Sequence, residues 1–172
     1  MDLGQNICVG DVGASGYNFL RQVQIACQNA LTPFVIHAES DCLYPPDYFT
    51  FTPPKLDIPY RNTNIYVQKY RKDYFCKKNN STFSQIVGKD FYLKRLHELF
   101  GYQPIWNIQY KNFPKEIKKN LFDKFEYFNT KNSCISFKTG QGMRKHSNCD
   151  EIPVYKLPYW GDVRELRRNY ED

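Results

Sequence analysis

Two carboxylates separated by a single residue, Glu39 and Asp41, are the side chains of this sequence whose types and spacing best suit chemistry. They directly follow residues 34–38, a short apolar run that is typical of a buried strand in a parallel sheet. Both carboxylates can reach one hard divalent cation from such a position, because Mg²⁺ and Mn²⁺ prefer oxygen ligands. The other interpretation is an acidic turn at the surface. The position of both acids directly after an apolar strand favours the cation site.

The segments before the acidic pair predict half of a doubly wound α/β unit. Residues 15–30 carry apolar side chains at helical spacing, and Arg21, Gln22 and Gln24 fall on the opposite face. A Thr-Pro pair ends this helix, and the strand begins directly afterwards. Ligands of open α/β sheets bind beyond the carboxyl ends of strands. The sequence therefore predicts an α/β fold with its site at the acidic pair.

The rest of the chain predicts strands, helices and loops within one domain. In chain order we expect irregular turns over 47–52, paired strands over 64–69 and 73–77, a helix over 84–100, a helix from Pro114 whose apolar stripe ends at Phe128, a strand over 134–137, a polar loop over 140–146 and a helix over 163–170. A chain of 172 residues has the usual length of a single domain.

The charge balance and the aromatic content allow two kinds of surface. Lysine and arginine number 24 against 18 acidic residues, and 17% of the residues are aromatic. The basic side chains concentrate in residues 69–78, 111–124 and 164–168, where tyrosine and phenylalanine are interleaved with them. A nucleic-acid groove uses this mixture, with cations for phosphates and rings for bases. Solvated helix faces use it as well.

Features of membrane and secreted proteins are missing from the sequence. No apolar run approaches the roughly 20 residues of a membrane span, and the N-terminus lacks the charged-then-apolar layout of a secretory signal. The six cysteines show no C-x2-C spacing, which predicts free thiols rather than a zinc site or a disulfide framework. We therefore expect a cytoplasmic protein without a membrane span.

The run over residues 34–49, FVIHAESDCLYPPDYF, resembles the metal-binding strand end of nucleotide-sugar glycosyltransferases with the GT-A fold. It is most similar to the family-two-like enzymes of phages and bacteria, in which a hydrophobic strand ends in D-x-D, E-x-D or E-H-D. The similarity extends over residues 10–100 and more loosely over 135–166, where Trp160 stands in a closing Pro-x-Trp-Gly element. Residues 101–134 have no counterpart in that group.

The resemblance implies a GT-A-like, Rossmann-like mixed sheet flanked by helices, and a Mn²⁺ or Mg²⁺ cofactor. Asp41 would ligate the metal that bridges the donor diphosphate, and Glu39 would lie on the metal shell or the donor ribose. Related enzymes often complete the shell with a late His-Gly, where this chain has Thr139-Gly140. His146 is the nearest substitute, and a solvated loop histidine is its other interpretation.

Further site residues follow from the same resemblance. Arg21, Gln22 and Trp160 are expected to contact the donor, although an apolar cap on the sheet would also account for Trp160. An inverting reaction needs a base for the acceptor hydroxyl, and Asp90 at the start of the third helix is our candidate. A carboxylate in the first turn of a helix is also favoured by the helix dipole alone.

The implied function is metal-dependent transfer of a sugar from a nucleotide donor, a UDP-sugar, to an unidentified acceptor. A glycan or modified DNA would suit, the latter in the cytoplasm of a phage-infected bacterium. Residues 1–60 would bind donor and metal, and 61–172 the acceptor, within one domain. Residues 1–33 leave little room for the family's first strands, so we expect these to be absent, reduced or supplied by a second copy in a homodimer. A nucleic-acid-binding module without catalysis and a degenerate transferase with a structural role are the alternatives.

Overall fold

The computed structural model describes residues 5–107, 121–138, 149–150 and 152–169. The helices of these residues are α1 (Gly16–Asn29), α2 (Pro46–Thr50), α3 (Lys89–Phe100) and α4 (Val163–Arg168). Their strands are β1 (Phe34–Ile36), β2 (Cys42–Leu43), β3 (Tyr60–Asn62), β4 (Ile65–Gln68), β5 (Phe75–Lys78), β6 (Gln85–Gly88), β7 (Glu126–Phe128), β8 (Cys134–Phe137), β9 (Pro153–Val154), β10 (Lys156–Leu157) and β11 (Gly161–Asp162). The fold is therefore mixed α/β, as the sequence predicts. None of the described helices has the length and apolar character needed to cross a bilayer.

Four strands form the first sheet, in the order β1–β6–β3–β7. β1 and β3 each lie antiparallel to β6, and β3 lies parallel to β7. Among the described residues, β1 is thus an edge strand whose one neighbour is antiparallel, with Phe34 opposite Gly88 and Ile36 opposite Ile86. The prediction of a buried parallel strand is wrong, because residues 85–88 return antiparallel to β1 and leave Ile36 exposed.

Five strands form the second sheet, in the order β2–β8–β4–β5–β9. β4 and β5 pair antiparallel, which confirms the two paired strands predicted from alternation. β8 lies parallel to β4, and the strand predicted over 134–137 is confirmed. Two continuous paths join the sheets, since β3 leads into β4 through residues 63–64 and β7 leads into β8 through residues 129–133. The parallel pair β3 and β7 of the first sheet therefore continues into the parallel pair β4 and β8 of the second sheet.

Apolar side chains from both sheets and from α2 form a shared cluster. Its buried members are Tyr48, Tyr60, Ile65, Phe83, Ile86, Phe128 and Cys134. Ile86 belongs to this cluster, whereas its neighbour Val87 packs against the helices, as the alternation of side chains along a strand requires. On that helical side, α1 contributes Tyr17, and α3 contributes Tyr92 and Leu96 at a spacing of one turn.

The second sheet is covered by α4 and the β10–β11 hairpin. Val163 and Leu166 of α4 pack against Phe75 of β5 and Ile135 of β8. The helix predicted from residue 163 is confirmed, although residue 170, the last that was predicted for it, lies outside the described residues. Each of the three apolar clusters is thus tied to at least one face of a sheet.

The helix predicted over 84–100 proves to be two elements. Residues 85–88 form β6, and α3 begins only at Lys89. Val87 fits the helical repeat of the residues that follow but packs from a strand, so its spacing imitates a longer helix. Gly88 marks the change, because a Cβ at this position would lie 2.0 Å from the backbone oxygen of Leu56. No larger residue fits there without a shift of the backbone.

The prediction of a helix from Pro114 to Phe128 is wrong in the part of this segment that the structure describes. Residues 108–120 are outside the described part of the chain, and Glu126–Phe128 form β7. Phe128 enters the core from this strand, although its distance in sequence from Phe125 suits a helix. The irregular turns predicted over 47–52 contain α2 instead. The polar loop predicted over 140–146 is not among the described residues.

Helix α1 occupies the predicted residues, but it buries a different face. Its first turn is capped by the Ser15 hydroxyl. Arg21 and Gln24, which we expected to face solvent, are buried, whereas Phe19 is exposed. The reason is a neighbour that periodicity cannot reveal, because the Arg21 guanidinium lies over the ring of Phe100 in α3.

Candidate metal site between the two sheets

The acidic pair lies between β1 and β2, on one of the links by which the chain passes from the first sheet to the second. The His37 N–H donates to the Gln85 carbonyl oxygen at 3.0 Å, which extends the pairing of β1 with β6 by one residue. Cys42 is already part of the second sheet, where it pairs with Ser136 of β8. The intervening residues 38–41 therefore carry both acids across the junction of the two sheets.

Hydrogen bonds fix the backbone of both acids. The Glu39 N–H donates to the Tyr44 hydroxyl at 2.9 Å, and this hydroxyl in turn donates to the Phe83 carbonyl oxygen at 2.8 Å. The Phe137 N–H donates to the Asp41 carbonyl oxygen at 2.8 Å. Glu39 is thus tied to the start of β6 and Asp41 to the end of β8, so the positions of the two residues depend on different sheets.

The side chains of Glu39, Asp41 and Cys42 form a compact group at this junction. One potential ligand atom from each lies within 4.8 Å of the others, and all three residues are half-buried. The ammonium nitrogen of Lys138, directly after β8, lies 3.8 Å from Asp41 Oδ2. The group therefore combines two carboxylates, a thiol and one neighbouring cation.

Burial and mutual repulsion act on the charges of the pair. Burial raises the pKa of the Glu39 carboxyl above its ordinary value, and the nearby Asp41 carboxylate raises it further. The positive charges of Lys138 and Lys78 act in the opposite direction. Two like charges held this close and partly out of water favour a positive ion between them.

The thiol of Cys42 is the third potential ligand of the group. It forms no disulfide, and neither do Cys8, Cys27, Cys76 and Cys134, in agreement with the prediction from their spacing. Burial and the Asp41 carboxylate raise the pKa of the Cys42 thiol to about 12. The protonated sulfur lies 3.5 Å from Asp41 Oδ1, to which it donates. Two of the three potential donors are carboxylate oxygens, which are the ligands that Mg²⁺ and Mn²⁺ prefer.

His37, two residues before Glu39, is a buried polar group at the same junction. It is 8% exposed, and its ring stacks on Tyr92 with 5.7 Å between centroids. Neither ring nitrogen makes a hydrogen bond of normal geometry to the described residues, although the backbone of Thr82 is close enough to act on the ring. Burial lowers the pKa of the imidazole to about 4, the backbone of Thr82 opposes this shift, and the charge of Arg61 reinforces it. His37 is therefore neutral at physiological pH.

Two residues expected to contact the donor lie on α1, and the structure does not bring them to the acidic pair. The Arg21 guanidinium donates to the carbonyl oxygens of Gln103 and Pro104 at 3.0 and 3.1 Å, and it lies 3.7 Å from the Phe100 ring centroid. Its charge is thus used to join α1 to the end of α3. Gln22 is exposed on the same helix. Contact of either residue with a donor stays a prediction.

Asp90 lies at the other end of β1 from the acidic pair. Its side chain is 91% exposed and pairs with Lys89 at 3.7 Å. Because the Lys89 N–H donates to the carbonyl oxygen of Pro33, the start of α3 adjoins the start of β1. Five extended residues, about 16 Å, separate that end from Glu39. A role of Asp90 as the base stays a prediction that this geometry does not favour.

Trp160 also does not lie at the acidic pair. The Trp160 indole N–H donates to the Ser133 carbonyl oxygen at 2.6 Å, directly before β8. Lys138, which contacts Asp41, follows the opposite end of that strand. Trp160 also packs against the apolar cluster of the second sheet, as the cap interpretation has it. His146 lies outside the described residues.

Sequence reasoning missed Lys138, whose ammonium contacts Asp41, and Lys78, whose positive charge acts on Glu39. Each lies at the end of a strand that was correctly predicted, so the strand-end reasoning that singled out Glu39 could have pointed to them. What it lacked was the pairing of β2 with β8, which places Lys138 beside Asp41. Such long-range pairing leaves no local signal.

Comparison of the chain with protein-family models, with curated proteins and with solved structures gives no match. Function must therefore be inferred from the chemistry of Glu39, Asp41 and their neighbours. The carboxylate pair at the junction of the sheets is the part of the described structure that best suits this chemistry.

Proposed function

We propose that the protein is a metal-dependent glycosyltransferase that takes a sugar from a nucleotide donor. The observation that carries the proposal is the pair of half-buried carboxylates, Glu39 and Asp41, whose ligand atoms lie within 4.8 Å of each other just beyond a strand. Support also comes from the resemblance of residues 34–49 to the metal-binding strand end of GT-A glycosyltransferases.

The carboxylates of Glu39 and Asp41 would hold Mn²⁺ or Mg²⁺. When bound, such an ion supplies a Lewis acid that neutralises the charge growing on a nucleoside-diphosphate leaving group. The chain contributes orientation, because the Asp41 carbonyl oxygen is fixed to β8 and the Glu39 N–H to the Tyr44 hydroxyl. The ammonium groups of Lys138 and Lys78 lie near the pair and add positive charge for an anionic donor.

Calorimetric titration of UDP in the presence of Mn²⁺ or of EDTA tests this proposal. We expect wild type to bind UDP at least about tenfold more tightly with Mn²⁺, a difference of about 1.4 kcal/mol. Asp41→Asn should lose this increment, because the neutral amide is a much weaker ligand than a carboxylate. Asp90→Asn is the matched control, since it removes an exposed carboxylate from the far end of β1.

Hydrolysis of UDP-glucose, UDP-galactose and UDP-N-acetylglucosamine is the activity measurement. Wild type should release UDP from at least one of them with Mn²⁺ and not with EDTA. Circular dichroism and thermal unfolding of each variant separate a lost ligand from a lost fold. Equal UDP binding with Mn²⁺ and with EDTA, or an Asp41→Asn variant with the full increment, would contradict the proposal.

Exposed aromatic rings favour nucleic-acid binding as a second candidate function. Tyr127, Tyr155 and Tyr159 are each about half exposed, and the Lys77 ammonium lies 4.7 Å from the Tyr66 ring centroid. Rings and cations in this combination suit single-stranded nucleic acid. Fluorescence anisotropy with labelled DNA and RNA should then show affinity that falls steeply with salt and needs no divalent metal. Negligible affinity at low salt would exclude this function.

A further inference from the structure

Arg61, at the centre of β3 in the first sheet, is a half-buried cation without an acidic partner. Its Nε donates to Gln85 Oε1 at 2.9 Å, its Nη1 donates to Asn80 Oδ1 at 3.3 Å, and the guanidinium lies 4.1 Å from the Phe125 ring centroid. In the parts of the chain that the structure describes, it forms no ion pair with a carboxylate. The described polar partners of Arg61 are neutral amides, so the charge of Arg61 is available to a ligand.

The position of Arg61 in the sheet directs it to the end that carries the acidic pair. It pairs with Gln85 on one side and with Tyr127 on the other, and the Gln85 carbonyl oxygen accepts from the His37 N–H. Residues directly opposite one another in a sheet project to the same face. His37, Gln85, Arg61 and Tyr127 therefore form one row across the first sheet, two residues before Glu39 along β1.

The row leaves several hydrogen-bond donors without an acceptor. A guanidinium carries five N–H groups, and the described contacts of Arg61 use one on Nε and one on Nη1. His37 adds an imidazole that is 8% exposed and has no hydrogen-bond partner among the described residues. The free N–H groups of a guanidinium form a planar fork that matches two oxygens of a phosphate group.

We propose that Arg61, held in place by Gln85 and Asn80 and bordered by His37 and Tyr127, binds a phosphate group. The neutral amides orient the guanidinium without cancelling its charge, which a carboxylate at either position would do. The ring of Tyr127 is exposed beside it, where it can lie against the organic part of a phosphate ester. Two sources supply this chemistry, the diphosphate of a nucleotide and the phosphodiester backbone of a polymer.

This inference goes beyond the proposed transfer reaction, because the site uses a cation of the chain and needs no metal. Binding is therefore measured in EDTA, by calorimetry, with three probes: inorganic pyrophosphate, UDP and an oligothymidylate of about 12 nucleotides. Arg61→Gln should weaken at least one probe about tenfold or more, as expected for loss of charge-assisted hydrogen bonds. Arg168→Gln, which removes an exposed charge from α4, should change each affinity by less than about twofold.

A second variant separates phosphate binding from a structural role of Arg61. Asn80→Asp places a carboxylate where an amide oxygen now lies 3.3 Å from Nη1. The new ion pair would satisfy the guanidinium, so thermal stability should stay equal or rise while phosphate affinity falls at least about tenfold. This variant also decides the question if Arg61→Gln does not fold.

The three probes distinguish the two sources. Loss of pyrophosphate and UDP binding alone assigns the site to a nucleotide diphosphate, and loss of oligothymidylate binding alone assigns it to a polymer backbone. The proposal is overturned if wild type binds none of the probes in EDTA, or if the variants bind all three as wild type does. All of these measurements are made without metal. A negative result for the phosphate site would therefore not contradict the Mn²⁺-dependent binding of UDP. Likewise, a lack of Mn²⁺ dependence would not contradict the phosphate site.

Discussion

Two of the regions in which polar side chains are buried treat these side chains differently. At the bend from β3 into β4, Asn62 donates to Thr130 Oγ1 at 2.8 Å, and its Oδ1 accepts from the N–H groups of Asn64 and Thr130 at 2.9 and 3.3 Å. At the end of β1, His37 has two unpartnered nitrogens, and Arg61 has no acidic partner among the described residues. The hydrogen-bonding groups of the first region find partners within the fold, and those of the second region do not all find them.

The difference separates polar groups that stabilise the fold through hydrogen bonds from polar groups that are buried without such stabilisation. At the bend, each hydrogen bond replaces one that water would have made, so the network fixes how one sheet turns into the other. At the end of β1, the described partners of the Arg61 guanidinium are neutral, and the imidazole of His37 makes no hydrogen bond of normal geometry, so the burial of these groups is only partly compensated. Such partly compensated groups are concentrated at binding and catalytic sites. The comparison therefore supports a site at Glu39, Asp41 and Arg61.

The largest effect on stability should come from the bend. Asn62→Leu removes the amide and leaves the N–H groups of Asn64 and Thr130 without their acceptor, so we expect the free energy of unfolding to fall by about 2–4 kcal/mol. Urea unfolding followed by circular dichroism measures the change. Asn129→Ala is the control, since Asn129 is exposed on the same bend and should matter by less than about 0.5 kcal/mol. Equal stability of Asn62→Leu and wild type would show that the network is dispensable.

At the end of β1 the same kind of substitution should have the opposite sign. His37→Phe keeps a ring for Tyr92 to stack on and removes two buried nitrogens that have no partner, so stability should rise by about 1 kcal/mol. The control is His97→Phe on the exposed side of α3, with an expected change below about 0.5 kcal/mol. A loss of stability in His37→Phe would mean that the imidazole is satisfied, and the contrast between the regions would weaken.

The acidic pair could be predicted from sequence because its signal is local. An apolar run followed at once by two carboxylates needs no knowledge of distant residues. Arg61 and Lys138, by contrast, reach the same end of the molecule through the pairing of β3 with β6 and of β2 with β8. Local patterns predict that a strand exists but not which strand lies beside it. Local reasoning therefore singled out the acidic pair and missed the cations on the neighbouring strands.

Errors in the fold have the same origin. Periodicity assigned Arg21 to the solvent side of α1, because a charged residue there is usually solvated. Its long side chain is instead buried over Phe100, with its head on the carbonyl oxygens of Gln103 and Pro104. Residues 85–88 were predicted as helix because Val87 fits the repeat of α3, and only the pairing with β1 reveals a strand. In each case a tertiary contact outweighed a local preference.

A smaller effect, dependent on pH, is expected at the edge of the bend. The Asp47 carboxylate accepts hydrogen bonds from Asn132 N–H at 3.2 Å and Nδ2 at 3.1 Å. Burial tends to raise the pKa of Asp47, but these bonds outweigh it and hold the pKa below its ordinary value. A lowered pKa means that ionised Asp47 stabilises the fold above its unfolded pKa of about 3.9, and that this stability is lost as pH falls through the folded value.

Asp47→Asn should therefore lower the free energy of unfolding by about 1 kcal/mol at pH 7, and the difference should shrink towards zero by about pH 2. Urea unfolding of wild type and variant across this pH range measures it. Asp57→Asn, at an exposed position, should show no such trend. A difference that stays constant with pH would mean that the hydrogen bonds of Asp47 do not depend on its charge.

The smallest effect is expected from a substitution of Asp90 at the start of α3. It tests whether this end of β1 takes part in the reaction together with the acidic pair at the other end. The Asp90 carboxylate is exposed and adjoins the beginning of β1, about 16 Å of extended chain from Glu39. Asp90→Asn should leave Mn²⁺-dependent hydrolysis of a UDP-sugar within about twofold of wild type, with Asp123→Asn, also exposed, as its control. Loss of a general base costs about 100-fold or more. A loss of that size in Asp90→Asn alone would mean that the two ends of β1 meet during the reaction, and that the acidic pair is only half of the catalytic site.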